Sequence, residues 1–401
     1  MPETTEPNVG TFTLGDPLTA EPTGPVEVPE HDEWTLPNGF AWVFPGEGGR
    51  GGLVRPVIMA DGFNLGRSRL DALYQGLESG YPFISELRRR GRDVILLGFE
   101  ERSASIPDNA RAAEAALVRA IAEQRGDARL VVGGFSMGGL VTRYALAKLE
   151  RQRMDHRTAL YFSYDTPHRG ASIPVGVQAF SHFIPFPNDF AKQMNSPAAR
   201  QMLWQHYDQD TGKIGVAPER TEFLADLERL GGWPQIPMKT AVANGRGDGV
   251  GLPDVKPGEV VLRVDRIYPG TTFYTQAQGD DVTAAYLNRR LPKSEKTITT
   301  SGFPELDGAP GGTLHTYRIL ADTMKKLGGT ADLRHEDVCF VPSVSAVAIC
   351  DIEKQDDLYA AVDGLEPEQS ELDDFLCSST TTAHTAITEE LCTWIMDRLP
   401  G

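Results

Sequence analysis

The chain has 401 residues, 40% of them hydrophobic and 24% charged, the composition of a soluble globular protein long enough for one large core with insertions. Its formal net charge of -17 repels phosphate backbones and anionic headgroups, which argues against nucleic acid as a partner. No run of about 18 apolar residues predicts a transmembrane segment and no secretory signal is visible, so the expectation is a cytoplasmic protein, or a secreted one had a signal peptide been removed.

Residues 1–53 read as an N-terminal arm rich in Pro, Glu and Thr, followed by edge strands in "DEWTLPNGFAWVFPGEGGRGG". A repeating rhythm then occupies 54–170. "VRPVIMADG" (54–62) predicts a buried strand ending in a glycine turn. "YPFISELRRRG" (81–91) predicts an amphipathic helix, with Pro82 in its first turn and Gly91 at its end. "DVILLGF" (93–99) is a strand, and "PDNARAAEAALVRAIAEQRG" (107–126) an alanine-rich helix with Asp108 as its expected N-cap. "ARLVVGGF" (128–135) is a strand, "GGLVTRYALAKLE" (138–150) a helix, and further strands follow in "TALYFSYDTPHRG" (158–170) and "IPMKTAVANG" (236–245). Continuous apolar strands alternating with helices predict an α/β fold with a doubly wound, mostly parallel sheet, whose crevice lies beyond the carboxyl ends of the strands.

Two stretches break the rhythm. Residues 171–234 are apolar and aromatic without a strand and predict a helical cap; 235–401 return to the core, interrupted by a β insertion at about 255–300. Both should sit on the crevice side. Cys339, Cys350, Cys377 and Cys392 show no C-x-x-C spacing and are expected as reduced thiols, with a 339–350 or 377–392 bridge as the alternative. No metal-ligand set and no cofactor motif is evident.

Gly134-Phe135-Ser136-Met137-Gly138 is a G-x-S-x-G pentapeptide between a predicted strand and a predicted helix. Small residues at both ends permit a sharp turn that holds the Ser136 hydroxyl out of the sheet. A serine hydroxyl becomes a nucleophile only beside a base that a carboxylate orients. Downstream, "VANGRGDGVG" (242–251) places Asp248 in a glycine-rich loop past a strand and makes it the expected acid, with Asp165 as its rival. Of eight histidines only His384 lies late, in a polar loop before a last helix, and it is the expected base; His315 is a rival and His168 is read as structural. The oxyanion would be held by the backbone N–H of Met137 and a second one from "ADGFN", Phe63 first and Gly62 next.

These residues resemble the serine lipases and esterases of the α/β-hydrolase superfamily. "GGFSMGGLVTRYAL" resembles the nucleophile elbow of bacterial lipases, "DTPHRGA" the T-P-H-x-G segment of lipases and inositol-deacylase-like esterases, and "GRGDGVG" the G-D-G-V loop that carries the acid in such lipases. The first oxyanion loop departs from the H-G form common there. The resemblance covers 54–170 well, and 236–250 and 378–398 patchily. It implies a carboxylic ester hydrolase working through an acyl-enzyme on a small-molecule acyl substrate. Phe180, Phe183, Phe186 and Phe190 of the cap, with Trp204, are expected to pack the cap's own core, and as the alternative some of them wall an apolar pocket. An acyltransferase or cyclase using the same triad, and a catalytically silent binding protein, are the competing readings.

Overall fold

Eight strands form the central sheet: β1 (Asp32–Leu36), β2 (Gly39–Phe44), β3 (Pro56–Ala60), β4 (Asp93–Phe99), β5 (Leu130–Phe135), β6 (Thr158–Tyr164), β7 (Met238–Ala243) and β8 (Asp374–Cys377). The computed structural model describes residues 26–48, 52–366 and 369–401, so the expected arm up to residue 25 lies outside the described residues. The strands lie in the order β1-β2-β4-β3-β5-β6-β7-β8, with β2 antiparallel to β1 and β4 and every other pair parallel. Strands β2 to β5 are buried along their whole length, as continuous apolar runs require when both faces are covered. This mixed, doubly wound sheet is the α/β-hydrolase fold.

Helices α1 (Leu70–Glu78) and α2 (Phe83–Arg89) join the C-terminal helix (Glu389–Met396) on one face; α3 (Ile106–Glu123) and α4 (Met137–Arg151) cover the other. Residue Ser105, not the expected Asp108, is the N-cap of α3: its Oγ accepts the Asp108 N–H and donates to the Asp108 carboxylate. The cap thus lies one turn earlier, with Pro107 in the first turn. Helix α1 and strand β8 have no counterpart in the sequence reading.

The expected helical cap and β insertion are one lobe. Helices α5 (Val175–Phe183), α6 (Asp189–Met194) and α7 (Pro197–Met202) share a core with a five-stranded antiparallel sheet in the order 294–300, 282–289, 271–274, 260–265, 330–333. Its last strand lies well past the expected boundary at 300, joined through the helix Thr316–Lys326. Helix α8 (Pro218–Arg229) packs both on α7, where Arg220 donates to the carbonyls of Gln201 and Met202 and Glu219 pairs with Arg200, and on α4, where Phe223 stacks with Tyr144, whose hydroxyl donates to Asp226. All four cysteines are free thiols. A two-stranded ribbon, Gly311–Leu314 with Val338–Pro342, runs from the lobe back to the carboxyl edge of the main sheet.

Candidate active site

Strand β5 ends at Phe135, and Ser136 turns the chain into α4 with φ 52° and ψ -124°, a backbone that a non-glycine residue adopts only where its surroundings impose it. The Ser136 N–H is tied to the Tyr164 carbonyl at 2.9 Å. A Cβ at Gly134 would lie closer than 3.0 Å to the backbone of Gly138, and one at Gly138 equally close to the carbonyls of Ala60 and Asp61. Both glycines of the pentapeptide are therefore demanded by the close approach of turn, helix and β3.

His384 sits in the loop between β8 and the C-terminal helix. Its backbone N–H donates to the Thr313 carbonyl at 2.8 Å, and its ring meets Phe340 edge-on at 4.7 Å, so the ribbon fixes the imidazole from the side. Ring atom Nε2 is 2.8 Å from Ser136 Oγ and Nδ1 is 2.6 Å from Asp165 Oδ2. The ionised carboxylate can only accept, so Nδ1–H donates to Asp165 and Nε2 is left to accept the serine proton. All three residues are buried.

The carboxylate at the histidine is Asp165, not Asp248. Asp165 follows β6 directly, with φ 48°; its N–H donates to Val242 O at 2.7 Å and its Oδ1 accepts the Asn244 N–H at 2.9 Å. A Cβ on Gly312 would fall inside 3.0 Å of Asp165 Oδ2, so the ribbon leaves room for the carboxylate by having none. Asp248 is on the surface, where its carboxylate pairs with Arg246 and accepts the Val250 N–H. The hydrogen bond from Arg246 holds its pKa below the usual range. The physical reason is the turn itself: after β7 the chain reaches the site with the backbone of Asn244, and the 245–250 loop then swings outward. An Asp one residue beyond a buried strand that neighbours the elbow strand was the signal for Asp165; the G-D-G composition pointed to a solvent-facing turn.

The Gly62 N–H donates to the carboxylate of Asp61 at 2.7 Å and is not open to an oxyanion, which corrects that alternative. Among the described residues no partner engages the N–H of Phe63 or that of Met137, the first residue of α4, where the helix dipole favours negative charge. Burial raises the Asp61 pKa against the lowering influence of Arg102, whose guanidinium lies 3.9 Å away and also donates to the carbonyls of Leu65 and Gly66. The loop bearing Phe63 is thus held from both ends.

Beside the histidine opens a narrow apolar cleft, walled by Phe63, Ile173, Met194, Leu203, Leu314 and Phe340. The four cap phenylalanines do not wall it. Phe180, Phe183 and Phe190 are buried in the lobe's own core, where Phe180 packs edge-on against Tyr268 and Phe273, and Phe186 is exposed to solvent. Trp204 packs on Phe303. Aromatic content marked the region, but the aromatics serve the sheet that arrives some 90 residues later in the chain. His168 is structural: Nε2 meets Ser163 Oγ at 2.9 Å, Nδ1 faces Arg143, and the ring lies against Trp233. Burial holds it neutral and depresses the Arg143 pKa to about 9. His315 pairs with Asp337 at the surface.

No protein-family model and no curated protein sequence matches the chain. Solved structures resemble parts of it. The mature form of the lipase BlEst2 from Bacillus licheniformis is 11% identical over 51% of this chain and 72% of its own, with a TM-score of 0.33. Of its propeptide form the match spans 39%. Est1E from Butyrivibrio proteoclasticus is 13% identical over 53% of this chain and 77% of its own (TM-score 0.31). XC6422 from Xanthomonas campestris, an a/b serine hydrolase without lid, is 21% identical over 36% of this chain and 65% of its own (TM-score 0.26).

Proposed function

We propose that the protein is a serine hydrolase that cleaves carboxylic esters through an acyl-enzyme, with Ser136 as nucleophile, His384 as general base and acid, and Asp165 as the orienting carboxylate. The observation that carries this reading is the unbroken chain of two short hydrogen bonds, 2.8 and 2.6 Å, from a hydroxyl on a strained turn through one imidazole to a buried carboxylate. In the first step Ser136 Oγ attacks the ester carbonyl and its proton passes to His384 Nε2. Asp165 stabilises the imidazolium, and the amides of Met137 and Phe63 receive the oxyanion. The alcohol leaves with the proton from Nε2, and water, activated by the same imidazole, releases the acid. The apolar cleft would take the hydrocarbon part of the substrate.

Labelling with a fluorophosphonate and hydrolysis of p-nitrophenyl esters test the proposal together. Both should be present in the native protein and both lost in Ser136→Ala. Labelling that persists in that variant places the nucleophile elsewhere and overturns the reading.

A further inference from the structure

The net charge of -17 describes the surface as a whole; one corner of the lobe has the opposite sign. The hairpin of strands 282–289 and 294–300 closes with the pair Arg289 and Ser294, so Arg290, Leu291, Pro292 and Lys293 form its tip. Leu291 is 86% exposed, the most exposed large apolar side chain among the described residues. The tip is fastened to the end of α5: the Arg289 guanidinium donates to the Phe183 carbonyl and lies 4.9 Å over the Phe183 ring. Three residues on comes Phe186, 49% exposed and the most exposed of the phenylalanine, tyrosine and tryptophan side chains among the described residues.

Two exposed apolar side chains therefore flank a single junction, accompanied by Arg289, Arg290 and Lys293. None of these three cations has a carboxylate partner among the described residues. The acids nearest in the chain are Glu295 on the hairpin and Asp189, which is paired with Lys192 at 3.6 Å. The segment that carries Phe186 runs straight into α6, whose Met194 walls the apolar cleft.

We infer that this corner docks the protein on an anionic lipid surface, with Leu291 and Phe186 entering the headgroup region and the three cations meeting the lipid charge. An acidic polymer or protein would be met by the cations alone and gives no use to a leucine almost wholly in water. A lipid surface uses both features, because interfacial binding sums buried apolar area and electrostatic attraction. Repulsion from the acidic remainder does not cancel it: at physiological salt charges beyond about 8 Å from the membrane are screened, while those at the tip touch it. The inference is independent of the proposed chemistry.

The test is co-sedimentation of the full chain with vesicles of phosphatidylcholine alone and of phosphatidylcholine mixed with phosphatidylserine. Binding should require the anionic lipid and weaken as salt rises. Arg290→Glu with Lys293→Glu, and separately Phe186→Ser with Leu291→Ser, should each lower the partition coefficient at least about tenfold. Hydrolysis of a water-soluble ester should stay within twofold in both variants, which also reports that they fold. No binding to anionic vesicles, or equal binding to both vesicle types, overturns the inference. So does full binding by the Phe186→Ser, Leu291→Ser variant, which would identify a site for anionic polymers.

Discussion

Replacing Asp165 by Asn separates the two candidate acids. The Asn244 N–H donates to Asp165 Oδ1 at 2.9 Å, while Oδ2 receives His384 Nδ1 at 2.6 Å. In Asp165→Asn the amide oxygen must stay on the Asn244 side, because the opposite flip sets two donors against each other. The NH2 group then points at Nδ1 and makes it an acceptor. The imidazole proton moves to Nε2, facing Ser136, and the base can no longer take the serine proton. The cation formed in the first step also loses its counter-charge inside a buried site. A wrong-tautomer variant of a serine triad loses on the order of 10⁴ in kcat, or about 5.5 kcal/mol of barrier at 1.36 kcal/mol per decade. Asp248→Asn removes only an exposed pair with Arg246 and should stay within about twofold of the native rate. The assay is steady-state hydrolysis of a p-nitrophenyl ester with thermal unfolding as a control for folding. A native-like rate in Asp165→Asn, or a collapse in Asp248→Asn, would refute the assignment.

Two further outcomes follow from the surroundings of the site. Gly312→Ala sets a methyl within 3.0 Å of Asp165 Oδ2, so the carboxylate must leave its place under the imidazole; kcat should fall by at least about 10²-fold while circular dichroism stays native. Asp307, buried near Tyr317 and Cys339, has its pKa pushed by burial from 3.8 to about 6. The native state therefore binds the proton more tightly than the unfolded chain, and this contribution to stability is fully present below about pH 4 and is lost as pH rises through about 6. Asp307→Asn keeps an acceptor for the Gln276 N–H and cannot ionise, so in urea unfolding it should gain on the native protein by up to roughly 3 kcal/mol between about pH 4 and pH 7.5. A difference that does not change with pH would remove Asp307 as the titrating group.

How far the sequence reveals this site depends on the range of the interaction that decides each part. The elbow is local: strand, five residues and helix are contiguous, and the steric demand on Gly134 arises within that unit, while only that on Gly138 comes from β3, so Ser136 was legible. His384 was legible from its place in the chain, after every predicted strand and before the last helix. The acid was not, because β6 and β7 are adjacent parallel strands and each is followed by an aspartate near the same edge of the sheet. Choosing between them takes three facts from distant segments: the Asn244 backbone offers a donor, Gly312 leaves a gap, and Arg246 captures Asp248.

The same reasoning explains the pocket. Aromatic residues at 180, 183 and 190 fill the core of the lobe, as their number in one segment suggests, but the sheet that covers them has no trace in the neighbouring sequence, and Leu314 and Phe340, which do line the cleft, sit on a ribbon far along the chain. The lobe closes its own core and then returns to the sheet through that ribbon. There Thr313 holds the histidine backbone, Phe340 holds its ring and Gly312 clears the acid. A substitution in the lobe that shifts the ribbon should therefore act on the site through these three contacts.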